Sequence, residues 1–230
     1  MASPRQVQGS AWQGVLRKDL AIEFRTRYGV SAIIMFLLIT VSVILYSTPG
    51  EQLQPSILSA LLWIALFFGA MTGLSRSFVT EEERGTALIL RLYASGESVF
   101  IGKLVYNLGL MLSLAISAVL FFQFFFTRDF HIRDWSAFSI QLVLGAIGIA
   151  SVSTILSALI SRASQKGALL PILALPVLMP LVIATTDATR IALEVPNAVS
   201  ASQGDLLILI SFDVAMVLVS YVLFDVIWRD

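Results

Sequence analysis

Six stretches of the chain are apolar over enough consecutive positions to cross a bilayer: 29–47, 57–79, 99–126, 135–160, 168–185 and 206–228. A helix rises about 1.5 Å per residue, so about 20 apolar residues cover about 30 Å of hydrocarbon. The pattern predicts an all-α polytopic membrane protein, a single domain over 1–230 with six transmembrane helices. The third stretch is longer than the hydrocarbon requires, which suits a tilt or an extra turn outside the lipid. The fifth is the shortest and carries Pro171, Pro176 and Pro180. Each proline removes a backbone donor, so kinks are expected there, where a helix hinges or lines a cavity.

Ahead of the first span, 11–27 has a helical period. Trp12, Val15, Leu16, Leu20, Ile22 and Phe24 form one broad arc, with Arg17, Lys18 and Arg25 opposite. This predicts an amphipathic helix in the membrane interface. Asp19, Glu23 and Arg27 cut through the apolar arc at i, i+4 and i+8. Acids are costly against lipid, so they face water as a self-paired stripe or face the bundle as a structural contact. No catalysis is expected of them.

Charge settles orientation. With an even number of spans both termini share a side, and twelve of the fifteen Lys and Arg residues fall on it. Only Arg128, Arg133 and Arg190 fall on the other side. The positive-inside rule therefore predicts cytoplasmic termini. The first 28 residues contain no compact apolar core ending in small residues, so no cleavable signal peptide is expected.

Composition narrows the chemistry. The chain is 57% hydrophobic and 13% charged, about half the charge of a soluble domain. Its formal net charge of +0 gives no field that attracts nucleic acid. The absence of cysteine excludes disulfides, thiol catalysis, Cys-based zinc sites and haem attachment through C-x-x-C-H. The one histidine, His131, lies beside Arg133 in an outer loop and reads as solvated ahead of a metal or haem ligand. The spans hold no Ser/His or metal-ligand constellation, so no catalytic, metal or cofactor-binding residue is expected and the chain does not read as an enzyme. No extramembrane segment is large enough to bind a nucleotide.

The connection between spans two and three is the most informative stretch. Thr80 and Glu83 fit a capping box, with Glu81, Glu82 and Glu83 in a first turn. Span two is therefore expected to end near Val79, where a short helix begins. Arg84 and Gly85 come after the acids, and Leu88, Ile89 and Leu92 form an apolar stripe. Such a helix either docks into a groove of a soluble partner or rests at the membrane surface. In span six, Asp213 lies near mid-helix and Asp225 near the end, in reach of Arg229 at i+4. Asp213 reads as hydrogen-bonded to Ser151, Ser153 or Thr154 of span four, with proton coupling as the alternative. Gly69 with Gly73, and Gly145 with Gly148, permit close helix contacts.

Several runs resemble the haem exporter B family, the permeases of cytochrome c maturation. They are 74–85 (Leu-Ser-Arg-Ser-Phe-Val-Thr-Glu-Glu-Glu-Arg-Gly), Ile101-Gly102-Lys103-Leu104-Val105-Tyr106-Asn107, and the Pro-rich 170–180. The opening Lys18-Asp19-Leu20-Ala21-Ile22-Glu23-Phe24-Arg25 and the closing 223–230 are similar too, so the likeness covers essentially the whole chain. It implies an ABC-2-type permease of the bacterial inner membrane, worked by a separate cytoplasmic ATPase that uses ATP. It further implies partnership with a haem-handling membrane subunit and, indirectly, a periplasmic haem chaperone. ATP hydrolysis is then linked to haem export or to release of the haem-loaded chaperone, with haem as substrate and no cofactor bound by this chain. The segment 81–92 is implied as the ATPase contact. The family's usual proline at the end of that segment is absent around Ala94-Ser95-Gly96. An ABC-2 permease for a lipid, drug or polysaccharide, and a non-transporting membrane scaffold, are the alternatives.

Overall fold

The computed structural model describes residues 4–26, 28–74, 78, 81, 85–86, 90, 94–161 and 166–229, with the side chains of 4–10, 26, 28, 166–168, 225–227 and 229 outside that description. In chain order the helices are α1 (Pro4–Thr26), α2 (Tyr28–Ser47), α3 (Pro55–Leu74), α4 (Gly96–Phe125), α5 (Trp135–Ile160), α6 (Lys166–Glu194), α7 (Ala198–Ala201) and α8 (Gln203–Arg229). No strand occurs among the described residues. Six of the helices are long and apolar enough to cross a membrane, and the chain is a multi-pass membrane protein.

α5 is the central rod, buried along most of its length, while α2 and α8 expose most of their apolar surface. Sequence explains this division. α5 is rich in small residues, and Gly145, Ala146, Gly148, Ala150, Ser151, Ser153, Ser157 and Ala158 are all buried. Helices in lipid have no hydrophobic drive towards one another, so close backbone approach and dense packing hold the bundle together. A Cβ at Gly145 would lie 2.2 Å from the Trp63 ring of α3, and one at Gly148 would lie 2.5 Å from Leu181 of α6. The Trp63 indole N–H donates to Thr189 of α6 at 2.8 Å, so the ring that fills the Gly145 gap also satisfies its polar edge. Gly69 and Gly73 perform a similar service for α3, facing Leu114 of α4 and Ile33 of α2.

α6 is one continuous helix through Pro171, Pro176 and Pro180. Leu170, Ala174, Leu178 and Leu181 make its buried stripe, and the rings of Pro176 and Pro180 are exposed on the other side. The helix continues to Glu194, well past the expected end at 185. Asp187, Arg190 and Glu194, bonded at i+3 and i+4, hold its last turns. The far end of the bundle is tied by Asp134. Its carboxylate caps α5 through the Ser136 and Ala137 amides and also accepts from the Ala198 amide at 2.7 Å. The Ser136 hydroxyl and these amides hold that carboxyl below its ordinary range.

Gly145→Ala is expected to destabilise the chain by about 1–3 kcal/mol, because the rigid Trp63 ring cannot retreat. Gly109→Ala, at a helical glycine with open space around it, is expected to be neutral or mildly stabilising. Thermal unfolding of both full-length variants in nanodiscs checks the contrast.

Candidate functional site

At the end of the bundle that holds α1, four charged side chains meet. Lys103, about two turns into α4, is 2% exposed. Its Nζ lies 2.9 Å from Asp19 Oδ2 of α1 and 3.1 Å from Glu81 Oε1 of the α3–α4 connection. Lys18 donates to the same Glu81 oxygen and lies 3.6 Å from Asp19 Oδ1. The other Glu81 oxygen accepts the Thr86 hydroxyl at 2.6 Å. Two cations and two anions thus cancel in a pocket where Asp19 and Glu81 are each under a tenth exposed. Removing ions from water costs several kcal/mol each, and the cluster persists because each charge has a partner in contact. Burial by itself raises the Glu81 carboxyl; the Lys103 charge and the Lys18 and Thr86 hydrogen bonds outweigh it and bring the group down to about 2.

Local structure places these groups. Asp19 shares a face of α1 with Trp12 and Val15, and that face lies against Gly102 of α4. A Cβ at 102 would come within 2.8 Å of Val15 Cβ and 2.9 Å of the Trp12 carbonyl, so glycine is what lets the two helices close. Of the apolar arc of α1, Val15 is buried with an acid beside it, while Leu20 and Phe24 stay exposed. Glu23 accepts the Tyr106 hydroxyl at 3.2 Å and the Val30 amide at 2.9 Å, so it ties α4 to α1 and caps the start of α2. Arg25 is exposed, and Arg27 lies outside the described residues. One turn above Lys103, the Asn107 amide donates to Thr154 of α5 at 2.9 Å. The run Gly102-Lys103-Tyr106-Asn107 therefore holds α1, the connection and α5 from one side of α4.

The connection differs from its expected shape. Glu81 is helical, Gly85 has φ +67, and the Thr86 amide returns to the Glu81 carbonyl at 3.0 Å. That six-to-one closure over a left-handed glycine ends a helix. A new turn comes next, with the Leu90 amide on the Thr86 carbonyl and the Ala94 amide on Leu90. A helix thus ends at Gly85–Thr86, where glycine takes the left-handed conformation without strain, while the cap expected at Val79, Thr80 and Glu83 lies outside the described residues. Glu81 stands at a negative helix end, where a carboxylate needs cations, and Lys18 and Lys103 supply them. Of the segment's other singled-out residues, Glu82, Glu83, Arg84, Leu88, Ile89 and Leu92 lie outside the described residues. Beneath Lys103, the Phe78 ring lies 5.5 Å from its Nζ and packs on Phe224 of α8, which also meets Phe100 and Trp228.

Asp213 stands apart from this cluster. It is 6% exposed and faces Gly148 of α5, where a Cβ would lie 2.7 Å from its Oδ1. Neither carboxylate oxygen has a hydrogen-bond partner among the described residues, so the expected bonds to Ser151, Ser153 and Thr154 are not formed. The hydroxyls of Ser151 and Thr154 donate instead to their own helix, to the carbonyls of Ile147 and Ala150. The side chains of Asp225 and Arg229 lie outside the described residues, and His131 is exposed. No group of three or more metal-ligating side chains occurs among the described residues.

Sequence reasoning missed Lys103 as a site residue, because its charge served only to set orientation. A signal was present: a lysine with apolar neighbours four residues into a span, too far from its end to be free of cost.

Six apolar helices with a small-residue rod among them at the centre, closed at one end by a neutral charge cluster, define a polytopic helical membrane protein without a catalytic constellation among the described residues. The particular family emerges from comparison: the family model described as CcmB protein matches residues 10–225, and the chain belongs to that family. It is also similar to heme exporter protein B of Rhodobacter capsulatus, 26% identical over 197 residues, which cover 82% of this chain and 89% of that protein.

Lys103→Met is expected to destabilise the full chain by about 3–5 kcal/mol, since it leaves two buried carboxylates to share the half-exposed Lys18. Adding Asp19→Asn and Glu81→Gln recovers most of the loss. Denaturant unfolding of the single and triple variants measures the coupling.

The depressed Glu81 carboxyl makes part of the stability pH-dependent. Its folded value is about 2 against an ordinary 4.5, so its stabilisation is full above about 4.5 and is lost as the pH falls towards 2. Acid unfolding of Glu81→Gln is expected to lack that component.

Proposed function

We propose that the chain is the membrane permease subunit of an ABC-2-type transporter of cytochrome c maturation, driven by a separate cytoplasmic ATPase. Its task is haem export or release of the haem-loaded periplasmic chaperone from a haem-handling membrane subunit. It lies in the bacterial inner membrane with both termini cytoplasmic, so the charge cluster faces the ATPase side. The observation that carries this reading is the CcmB family match over 10–225, with the supporting likeness to a protein named as a heme exporter. The charge distribution supports the orientation, with twelve of fifteen basic residues on the side of the termini.

In this reading 81–92 is the coupling segment, including Gly85, Leu88, Ile89 and Leu92. Its anchoring to two helices, α1 and α4, suits a part that receives force from outside the membrane. Pro171, Pro176 and Pro180 each remove a backbone donor from α6, the latter two on its exposed face, and make it the helix most open to bending. Asp213, buried between α8 and α5, serves the packing of that pair.

Purification of the native complex tests the proposal. The expected outcome is that an ABC ATPase copurifies with the chain and is lost when Glu82 and Glu83 are reversed to Lys together with Leu88→Asp. Full retention of the ATPase by that variant would count against the proposal, as would a native complex without an ATPase.

A further inference from the structure

Glu81 begins the segment assigned to the ATPase, yet its side chain is turned into the protein. Both oxygens are engaged, one by Lys18 and Lys103 and the other by Thr86, and the residue is 7% exposed. A carboxylate so occupied has little to offer an outside protein. We infer that Glu81 is an internal positioning residue, joined through Lys103 and Asp19 to α4 and α1 so that displacement of the coupling segment moves both helices together. The inference rests on reading 81–92 as the motor contact.

Three observations carry it. The chain changes direction shortly after Glu81, at Gly85 with φ +67 and the Thr86 amide closed back on the Glu81 carbonyl, so Glu81 sits at the root of the turn that leads into the rest of the segment. Lys103 reaches Asp19 and Glu81 with one ammonium group, so pulling Glu81 away without α4 would part opposite charges in a buried place. Turning α4 without α1 would part Lys103 from Asp19 and open the Gly102 contact with Trp12 and Val15. The least costly response to force on the segment is therefore rotation of α1 and α4 as one body. Phe78, packed on Phe224, provides a pivot on α8 that carries no charge.

The absence of native cysteine makes the test clean. Gln13 is exposed on α1, and Gln13→Cys in the full chain, purified with its ATPase in nanodiscs, reports α1 movement through its rate of reaction with a water-soluble maleimide. The expected result is a rate that changes when a non-hydrolysable ATP analogue is added. That response is lost in Glu81→Gln, which retains the ATPase in wild-type amount. Inverting all four charges (Lys18→Glu, Asp19→Lys, Glu81→Lys, Lys103→Glu) is expected to restore the response, which a purely local packing role for Glu81 does not predict. Loss of the ATPase from Glu81→Gln would make Glu81 a contact residue and overturn the inference. A nucleotide response that survives in Glu81→Gln or is missing in the parent would overturn it too. A parent complex that contains no ATPase at all is a different result, one that defeats the functional reading itself.

Discussion

An ammonium group that folding carries out of water must take its counter-charges with it, and at Lys103 this requirement organises one end of the molecule. The lysine enters the bundle with its own helix and cannot reach solvent there. It therefore recruits Asp19 from α1 and Glu81 from the α3–α4 connection, segments that hydrophobic packing alone would leave loosely placed. The docking of α1 is a consequence. Its contact face pairs one apolar side chain, Val15, with one acid, while Leu20 and Phe24 remain outside. An interfacial helix held only by its apolar arc would sit the other way round.

The membrane-depth part of the fold obeys a different constraint. Without a hydrophobic gain from bringing helices together, the bundle depends on how closely backbones approach and on where each polar group finds a partner. α5 answers the first need with Gly145 and Gly148, which admit Trp63, Leu181 and Asp213. Hydroxyls answer much of the second by returning to their own helix, as at Ser151, Thr154 and Thr185. Cross-helix bonds are few: Trp63 to Thr189 and Asn107 to Thr154 are the buried ones among the described residues away from the charge cluster. The bundle is thus tightly packed around α5 and ionically fastened at one end, and that end is the one assigned to the motor.

The run Gly102-Lys103-Tyr106-Asn107 shows why a family likeness on short motifs has physical content here. The glycine admits α1, the lysine gathers the charges, the tyrosine donates to Glu23 and the asparagine reaches α5. Four residues within six positions of one helix thereby fix the surroundings of the α3–α4 connection.

The six spans, the helical entry segment and the class of protein were legible in the sequence, because an apolar run long enough to cross lipid is a local property. Asp19, Glu23 and the 81–92 segment also drew attention from sequence, as acids in an apolar arc and as charged residues between spans. Their partners were not legible. Lys18 and Glu81 are 63 positions apart, Glu23 and Tyr106 are 83, and no periodicity records such pairings. The turn inside the connection was not legible either: only the folded chain shows Gly85 in the left-handed conformation with Thr86 closed on Glu81. The extension of α6 to Glu194 likewise depended on contacts around its end. The sequence alone determined what enters the membrane, since the free energy of burying an apolar run depends mainly on its own residues. The tertiary structure decided where the buried charges go, since a charge in a low-dielectric interior is tolerated only beside its partner.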